Sequence, residues 1–126
     1  MSYVVCWLDS EEAKIFSLSP EGIKKTDLKI KEEEKTQHKK GDMHHHDSKA
    51  FYDRVANELK SAKEILLVGP GMAKKHFKTF IDDHKALKVS DKVVGVENMD
   101  HPTDKQIVAE ARKFFRAHDL FESLNF

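Results

Sequence analysis

The stretch TQHKKGDMHHHDSKAF, at positions 36–51, holds the side chains of this chain that are best suited to chemistry. Alternate side chains of an extended segment point the same way, so His44 and His46 can face one ligand together. A catalytic zinc ion takes three nitrogen or oxygen ligands from a protein. The third ligand would be Asp42, Asp47 or His38. The candidate metal ligands are therefore His44 and His46, completed by Asp42 or by one of the other two side chains.

The spacing of these histidines lacks the features that define a metal motif. No His-x-x-x-His pair places two ligands on one face of a helix. No cysteine lies in the stretch to build a structural site. We therefore predict no resident metal and no other cofactor. A metal-dependent hydrolase of nucleic acid that uses His44 and His46 stays open as an alternative.

The same loop is suited to contact with RNA. Lys35, Lys39 and Lys40 can neutralise phosphates, and Gly41 lets the backbone approach a phosphate closely. His44 gains positive charge as the pH falls. A solvated loop without a ligand explains the same composition, so both interpretations remain open.

A second candidate site follows a short apolar run and has the sequence Gly69-Pro70-Gly71. The start of a helix after a strand gathers free backbone N–H groups and can bind an anion. The lysines that could assist are Lys74, Lys75 and Lys78. The spacing of a Walker nucleotide loop is missing, and a tight structural turn with solvent-facing lysines is the simpler interpretation.

Three further features of the sequence have a structural explanation. Asp9 ends the first predicted strand, where a ribonuclease H-like nuclease carries a metal-binding carboxylate, but Asp9-Ser10-Glu11 is also ordinary turn chemistry. We predict a turn there. Cys6 lies in an apolar strand with no nearby base and is predicted to be core. The acidic triplet Glu32–Glu34 is predicted to be a solvated face.

Hydrophobic patterning predicts the elements that position these residues. Strands are predicted at 3–9, 13–18, 23–31, 64–69 and 93–96, the last being the clearest part of the region 86–98. A first helix should begin at Asp47 or Ser48, a second at Pro70, and a third at Thr103, where Gln106 completes a capping box. The order β-β-β-α-β-α-β-α predicts an α/β fold with a ribonuclease H-like mixed sheet, a β-meander followed by βαβ units.

Composition limits the function classes. The length of 126 residues predicts one domain over 1–126. Lys+Arg and Asp+Glu are 22 each, which argues against binding nucleic acid or membranes through bulk charge. The one cysteine, with no predicted membrane helix or signal peptide, favours a cytoplasmic protein without membrane contact.

The run ILLVGPGMAKKHFKTFI carries a resemblance to a known family. A strand followed by Pro-Gly-x-x-Lys-x-x-Phe, here Pro70, Gly71, Lys74 and Phe77, resembles the middle domain of the class-1 eukaryotic and archaeal release factors and of Pelota. The chain looks like a short bacterial relative, a stand-alone component of the translation machinery. The resemblance implies a partner in the ribosome or tRNA.

The resemblance also shows what this chain lacks. Release factors carry Gly-Gly-Gln, the peptide-release tripeptide, in the loop that corresponds to the histidine-rich stretch, and no such tripeptide occurs here. Pelota lacks it too. We therefore predict a non-enzymatic, translation-associated protein, with RNA contact through the loop and the Lys74–Lys78 flank. A stand-alone interaction module, including a homo-oligomer, is a further alternative.

Overall fold

The computed structural model describes residues 2–35 and 48–124, with side chains described as far as residue 119. The strands within these ranges are β1 (Ser2–Leu8), β2 (Glu12–Ser19), β3 (Gly22–Lys29), β4 (Ala62–Gly69) and β5 (Val93–Asn98). The α-helices are α1 (Glu32–Lys35), α2 (Lys49–Leu59), α3 (Ala73–Asp83) and α4 (Asp104–Leu124). None of the helices in these ranges has the length and apolar character needed to cross a membrane.

The strands form one sheet in the order β3-β2-β1-β4-β5. β2 runs antiparallel to both β1 and β3, whereas β4 runs parallel to β1 and β5. The meander and the parallel units are those predicted from the order of elements. The α/β prediction, with a ribonuclease H-like mixed sheet, is therefore confirmed.

Helices cover both faces of the sheet. On one face, α2 and α3 pack over alternate residues of β1, β2 and β4, in a cluster that includes Cys6, Phe51, Leu67, Phe77 and Ile81. On the other face, α4 packs over the intervening residues, in a cluster that includes Trp7, Phe16, Leu66, Ile107 and Phe115. The central strands are apolar on both faces because both faces are covered.

Several strand boundaries differ from the prediction by one or two residues; for example, β3 ends at Lys29 and β4 begins at Ala62. Two larger differences have local reasons. The second long helix begins at Ala73 rather than at Pro70, because the intervening Gly71 has a φ of +58°, which a right-handed α-helix does not allow. The segment after β3 forms the short helix α1 instead of a loop. There the Glu34 carboxylate turns back and accepts a hydrogen bond from the Lys31 N–H at 2.7 Å.

A β-bulge sets the faces of β5. Ile65 pairs with Val93 and Leu66 pairs with Gly95, so β5 has one extra residue between these two pairs. A Cβ added at Gly95 would lie 2.5 Å from Cζ of Phe114, which shows that this position faces α4. Because strand residues alternate, Val96 and Asn98 then face the α3 side and Glu97 faces α4.

Candidate nucleic-acid interface

Four of the strands end at the same edge of the sheet, because β1, β3, β4 and β5 all run in one direction. α1 follows β3, and α3 follows β4. α2 ends shortly before β4 begins, so its start lies toward the same edge. Lys35, Ser48 and the first turn of α3 are therefore gathered there, and the polar segment 36–47 is attached at this edge at both ends.

Lys74 is buried, with a relative exposure of 1%. Its Nζ donates a hydrogen bond to the carbonyl oxygen of Gly71 at 2.7 Å. The prediction of a solvent-facing lysine at this position is wrong, because Lys74 lies on the same helix face as the buried Phe77 and Ile81. Its side chain can therefore contact a ligand only if that ligand enters a groove.

A groove of about 470 Å³ lies between α3 and the end of β5. It is lined by Lys74, Lys75, Lys78, Thr79, Val96 and Asn98. The structure thus brings the three predicted α3 lysines together and adds three residues that sequence reasoning missed. The β5 residues reach this groove because the bulge turns Val96 and Asn98 toward α3, a reversal with no signal in the sequence pattern.

The two outer lysines of the groove differ in their surroundings. Lys75 is exposed. Lys78 is half-buried and donates to both carboxylate oxygens of Asp82, at 2.6 and 2.9 Å. The hydrogen bonds from Lys78 and from the Ser90 hydroxyl lower the pKa of Asp82. Lys78 is therefore anchored by one acid on α3, while Lys75 is available at the surface.

Glu34 corrects the prediction for the acidic triplet. Its relative exposure is 5%, whereas Glu32 and Glu33 are exposed. The carboxylate is buried because the Arg54 guanidinium reaches it from α2. Only two of the three acids can therefore form the predicted solvated face, and the third joins α1 to α2.

Asp9 is a turn residue, as predicted. One carboxylate oxygen accepts hydrogen bonds from the backbone N–H groups of Glu11 and Glu12, both at 2.8 Å. Within the described residues, no group of three or more His, Cys, Asp or Glu side chains is arranged to hold a metal. Cys6 is buried in the core, and this burial raises the pKa of its thiol to about 12.

The remaining predicted site residues lie outside the described residues. These are the RNA-contact candidates Lys39, Lys40, Gly41 and His44, together with the metal candidates His46 and Asp42.

The other predicted site residues lie within the described ranges. Lys35, at the end of α1, is exposed, and its Nζ lies 3.6 Å from Oε1 of Glu32. Gly69, Pro70 and Gly71 connect β4 to α3. Gly69 is the last residue of the strand, and the turn follows it.

The sequence matches no known family model. It also matches no characterised protein sequence at a significant level. The fold, however, is similar to part of several solved structures. The structure matches Archaeoglobus fulgidus Pelota with a TM-score of 0.67 over 99% of this chain, at 16% identity. It matches the archaeal translation termination factor aRF1 with a TM-score of 0.60 over 98% of the chain, at 15% identity.

A third match is Saccharomyces cerevisiae Dom34, a translation termination-like factor in RNA quality control that interacts with Hbs1. It has a TM-score of 0.58 over 86% of this chain, at 14% identity. The chain spans only 36%, 39% and 31% of the lengths of Pelota, aRF1 and Dom34, respectively. The resemblance inferred from the Pro-Gly-x-x-Lys-x-x-Phe run is therefore confirmed at the level of a Pelota- and release-factor-like domain fold.

Proposed function

We propose that this chain is a translation-associated domain that contacts the ribosome or tRNA without catalysing a reaction. The observation that carries the proposal is the likeness in fold to Pelota, aRF1 and Dom34 over most of the chain. A fold hosts many functions, so the contact must also be argued from residues.

The arrangement of basic residues supports RNA contact at one edge of the sheet. Lys35 and the groove lysines lie at or beside the edge where the segment 36–47 is attached. That segment contains Lys39 and Lys40. The exposed cations in this set, Lys35 and Lys75, can contribute to a local positive field even when the chain as a whole has equal numbers of acids and bases.

The absence of Gly-Gly-Gln from the sequence supports contact without peptide release. The chain also spans less than half of each translation factor that it matches. The contact proposed for the described residues is a surface for RNA at the carboxyl edge of the sheet.

Co-sedimentation with ribosomes tests this proposal. The wild type should move into the ribosomal fractions at low salt and dissociate steeply as salt rises, because each phosphate contact releases counterions. Two double variants, Lys39→Ala/Lys40→Ala and Lys75→Ala/Lys78→Ala, should each reduce binding. A filter-binding assay of the same proteins with tRNA distinguishes a ribosomal partner from a tRNA partner.

A matched control is Lys24→Ala/Lys60→Ala, which removes the same charge. Lys24 is near the start of β3 and Lys60 lies just before β4, so both are toward the opposite edge of the sheet, and both are exposed. This control should bind as the wild type does. A wild type that stays at the top of the gradient, or a control that loses as much binding as the test variants, would refute the proposed interface.

A further inference from the structure

The groove between α3 and β5 has a lining with no acidic side chain. It combines three lysines, a hydroxyl, an amide and one valine. At about 470 Å³ it falls within the size range of small-ligand sites, which is about 300–1,000 Å³. A concave site with cationic and neutral donors favours an anionic ligand about the size of a nucleotide.

Lys74 makes this groove different from a patch of surface lysines. Its side chain is almost fully buried, and its ammonium has three N–H donors. Among the described residues it makes one hydrogen bond, to the Gly71 carbonyl. The other two donors therefore have no protein acceptor in that part of the chain, although the side chain lines the groove.

The electrostatic surroundings of Lys74 also favour an incoming anion. Burial and then the neighbouring charge of Lys75 lower the pKa of Lys74, and the attraction of Asp100 offsets this only in part. An anion in the groove would replace lost solvation and shield the two lysines from each other. Its binding would therefore raise the pKa of Lys74.

We propose that this groove binds a phosphate group, with Lys74 as the buried donor and Lys75 and Lys78 as cations at its mouth. The phosphate belongs either to an RNA backbone or to a free nucleotide, since both present the same oxygens. Asn98 and Thr79 can add hydrogen bonds at the groove wall. The choice of RNA as the source of the phosphate rests on the proposed function. The binding of a phosphate group in the groove does not.

Calorimetric titration tests the site with three probes: inorganic phosphate, adenosine monophosphate and a short single-stranded oligoribonucleotide. The site predicts saturable binding of adenosine monophosphate or of the oligonucleotide, weakened by salt. With lysine labelled for NMR, the pKa of Lys74 should rise on saturation. Affinity should consequently fall as the pH rises through the lowered pKa of Lys74 in the free protein.

Two variants remove the site in different ways. Lys74→Met keeps the aliphatic stem in the core but removes the ammonium, and should weaken binding by about tenfold or more, as expected for a charged hydrogen bond. Val96→Glu places a carboxylate on the exposed groove wall and should weaken binding similarly without touching the core. Lys24→Ala, at the far edge of the sheet, should bind as the wild type does.

The outcomes separate this proposal from the previous one. Binding of the oligonucleotide that Val96→Glu abolishes supports the groove with RNA as the source, and equally strong binding of the mononucleotide supports it with a free nucleotide. Either result can occur without ribosome co-sedimentation, and co-sedimentation can survive Val96→Glu through the segment 36–47. If no probe binds, or if Val96→Glu binds like the wild type and the Lys74 pKa does not move, the groove is not a phosphate site.

Discussion

The carboxylate of Glu34 and the guanidinium of Arg54 meet at two points, Oε2 with Nε and Oε1 with Nη2, each at 3.1 Å. Arg54 also donates to the carbonyl oxygen of Lys29, at the end of β3. The contact therefore joins β3, α1 and α2. These are the elements on either side of the segment 36–47, so this ion pair joins the two elements to which that segment is attached.

Glu34→Gln should lower the free energy of unfolding by about 1–3 kcal/mol at pH 7, because the half-buried Arg54 guanidinium loses the charge of the buried Glu34 carboxylate. Burial raises the pKa of Glu34, but the hydrogen bonds from Arg54 and from the Lys31 N–H outweigh burial and lower it. The stabilisation is therefore present above the pKa of an unfolded glutamate, and is lost as the pH falls through the lower folded-state pKa. Urea unfolding from pH 7 downward measures both effects.

Glu32→Gln is the matched control for this prediction. Glu32 lies in the same turn and pairs with Lys35 at 3.6 Å, but its side chain is 86% exposed. Such a pair contributes little, so the control should change the free energy of unfolding by less than about 0.5 kcal/mol. Equal effects of the two substitutions would mean that the contact with Arg54 does not stabilise the fold.

The sequence predicted the strands and the long helices because their signals are local. The apolar runs of the central strands, the Ser48 cap and the Thr103–Gln106 capping box each depend on residues close in the chain, and each was found. The burial of Glu34 depends on Arg54, which is 20 positions away. No local pattern distinguishes Glu34 from its two exposed neighbours.

The solvent exposure predicted for Lys74 was wrong for a different reason. Its spacing from Phe77 and Ile81, three and seven residues, places it on the buried stripe of a helix, and this signal was present in the sequence. The residue type suggested solvent, whereas the spacing indicated the core. The groove itself needed the structure, because the bulge in β5 decides which side chains line it.

The two glycines of Gly69-Pro70-Gly71 should respond very differently to substitution by alanine. A Cβ at Gly69 would lie 2.1 Å from the backbone oxygen of Leu8, so β1 and β4 would have to separate. Gly69→Ala should therefore abolish cooperative folding or cost about 4 kcal/mol or more, at the extreme of single substitutions. Circular dichroism and thermal unfolding measure this loss.

Gly71→Ala is the internal control. Its φ of +58° is unfavourable for alanine, but an added Cβ meets nothing within 4 Å. The expected cost is about 1 kcal/mol, from backbone conformation alone. A tolerated Gly69→Ala, with a stability close to that of Gly71→Ala, would contradict the close approach of Gly69 to β1.

The two helix caps offer a comparison of buried and exposed capping. Ser48 is 1% exposed, and its hydroxyl accepts a hydrogen bond from the Phe51 N–H at 3.1 Å. Ser48→Ala should cost about 1–2 kcal/mol, because the freed N–H is shielded from water. Thr103→Ala removes an exposed cap and should cost about 0.5–1 kcal/mol. Urea unfolding of both variants checks the order, and a larger loss for Thr103→Ala would contradict it.

Glu97 on β5 faces Glu110 on α4, and this pair should make stability fall with rising pH. Burial first, and then the hydrogen bond and the charge of Glu110, raise the pKa of Glu97, while Lys113 partly offsets them. Because the folded-state pKa is above that of an unfolded glutamate, ionisation favours the unfolded chain, and stability declines as the pH rises through this window. Glu97→Gln should therefore raise the free energy of unfolding at pH 7 by about 0.5 kcal/mol, the scale of a like-charge contact.

That gain should disappear below about pH 4, where an ordinary glutamate is also protonated. Glu58→Gln, which alters an exposed acid on α2, should show no comparable pH-dependent gain. Urea unfolding at pH 4 and pH 7 distinguishes the two variants. A Glu97→Gln protein that is less stable than the wild type at pH 7 would show that the ionised carboxylate makes a favourable contact. That result would contradict the destabilisation by ionised Glu97 that is argued from its burial and from Glu110.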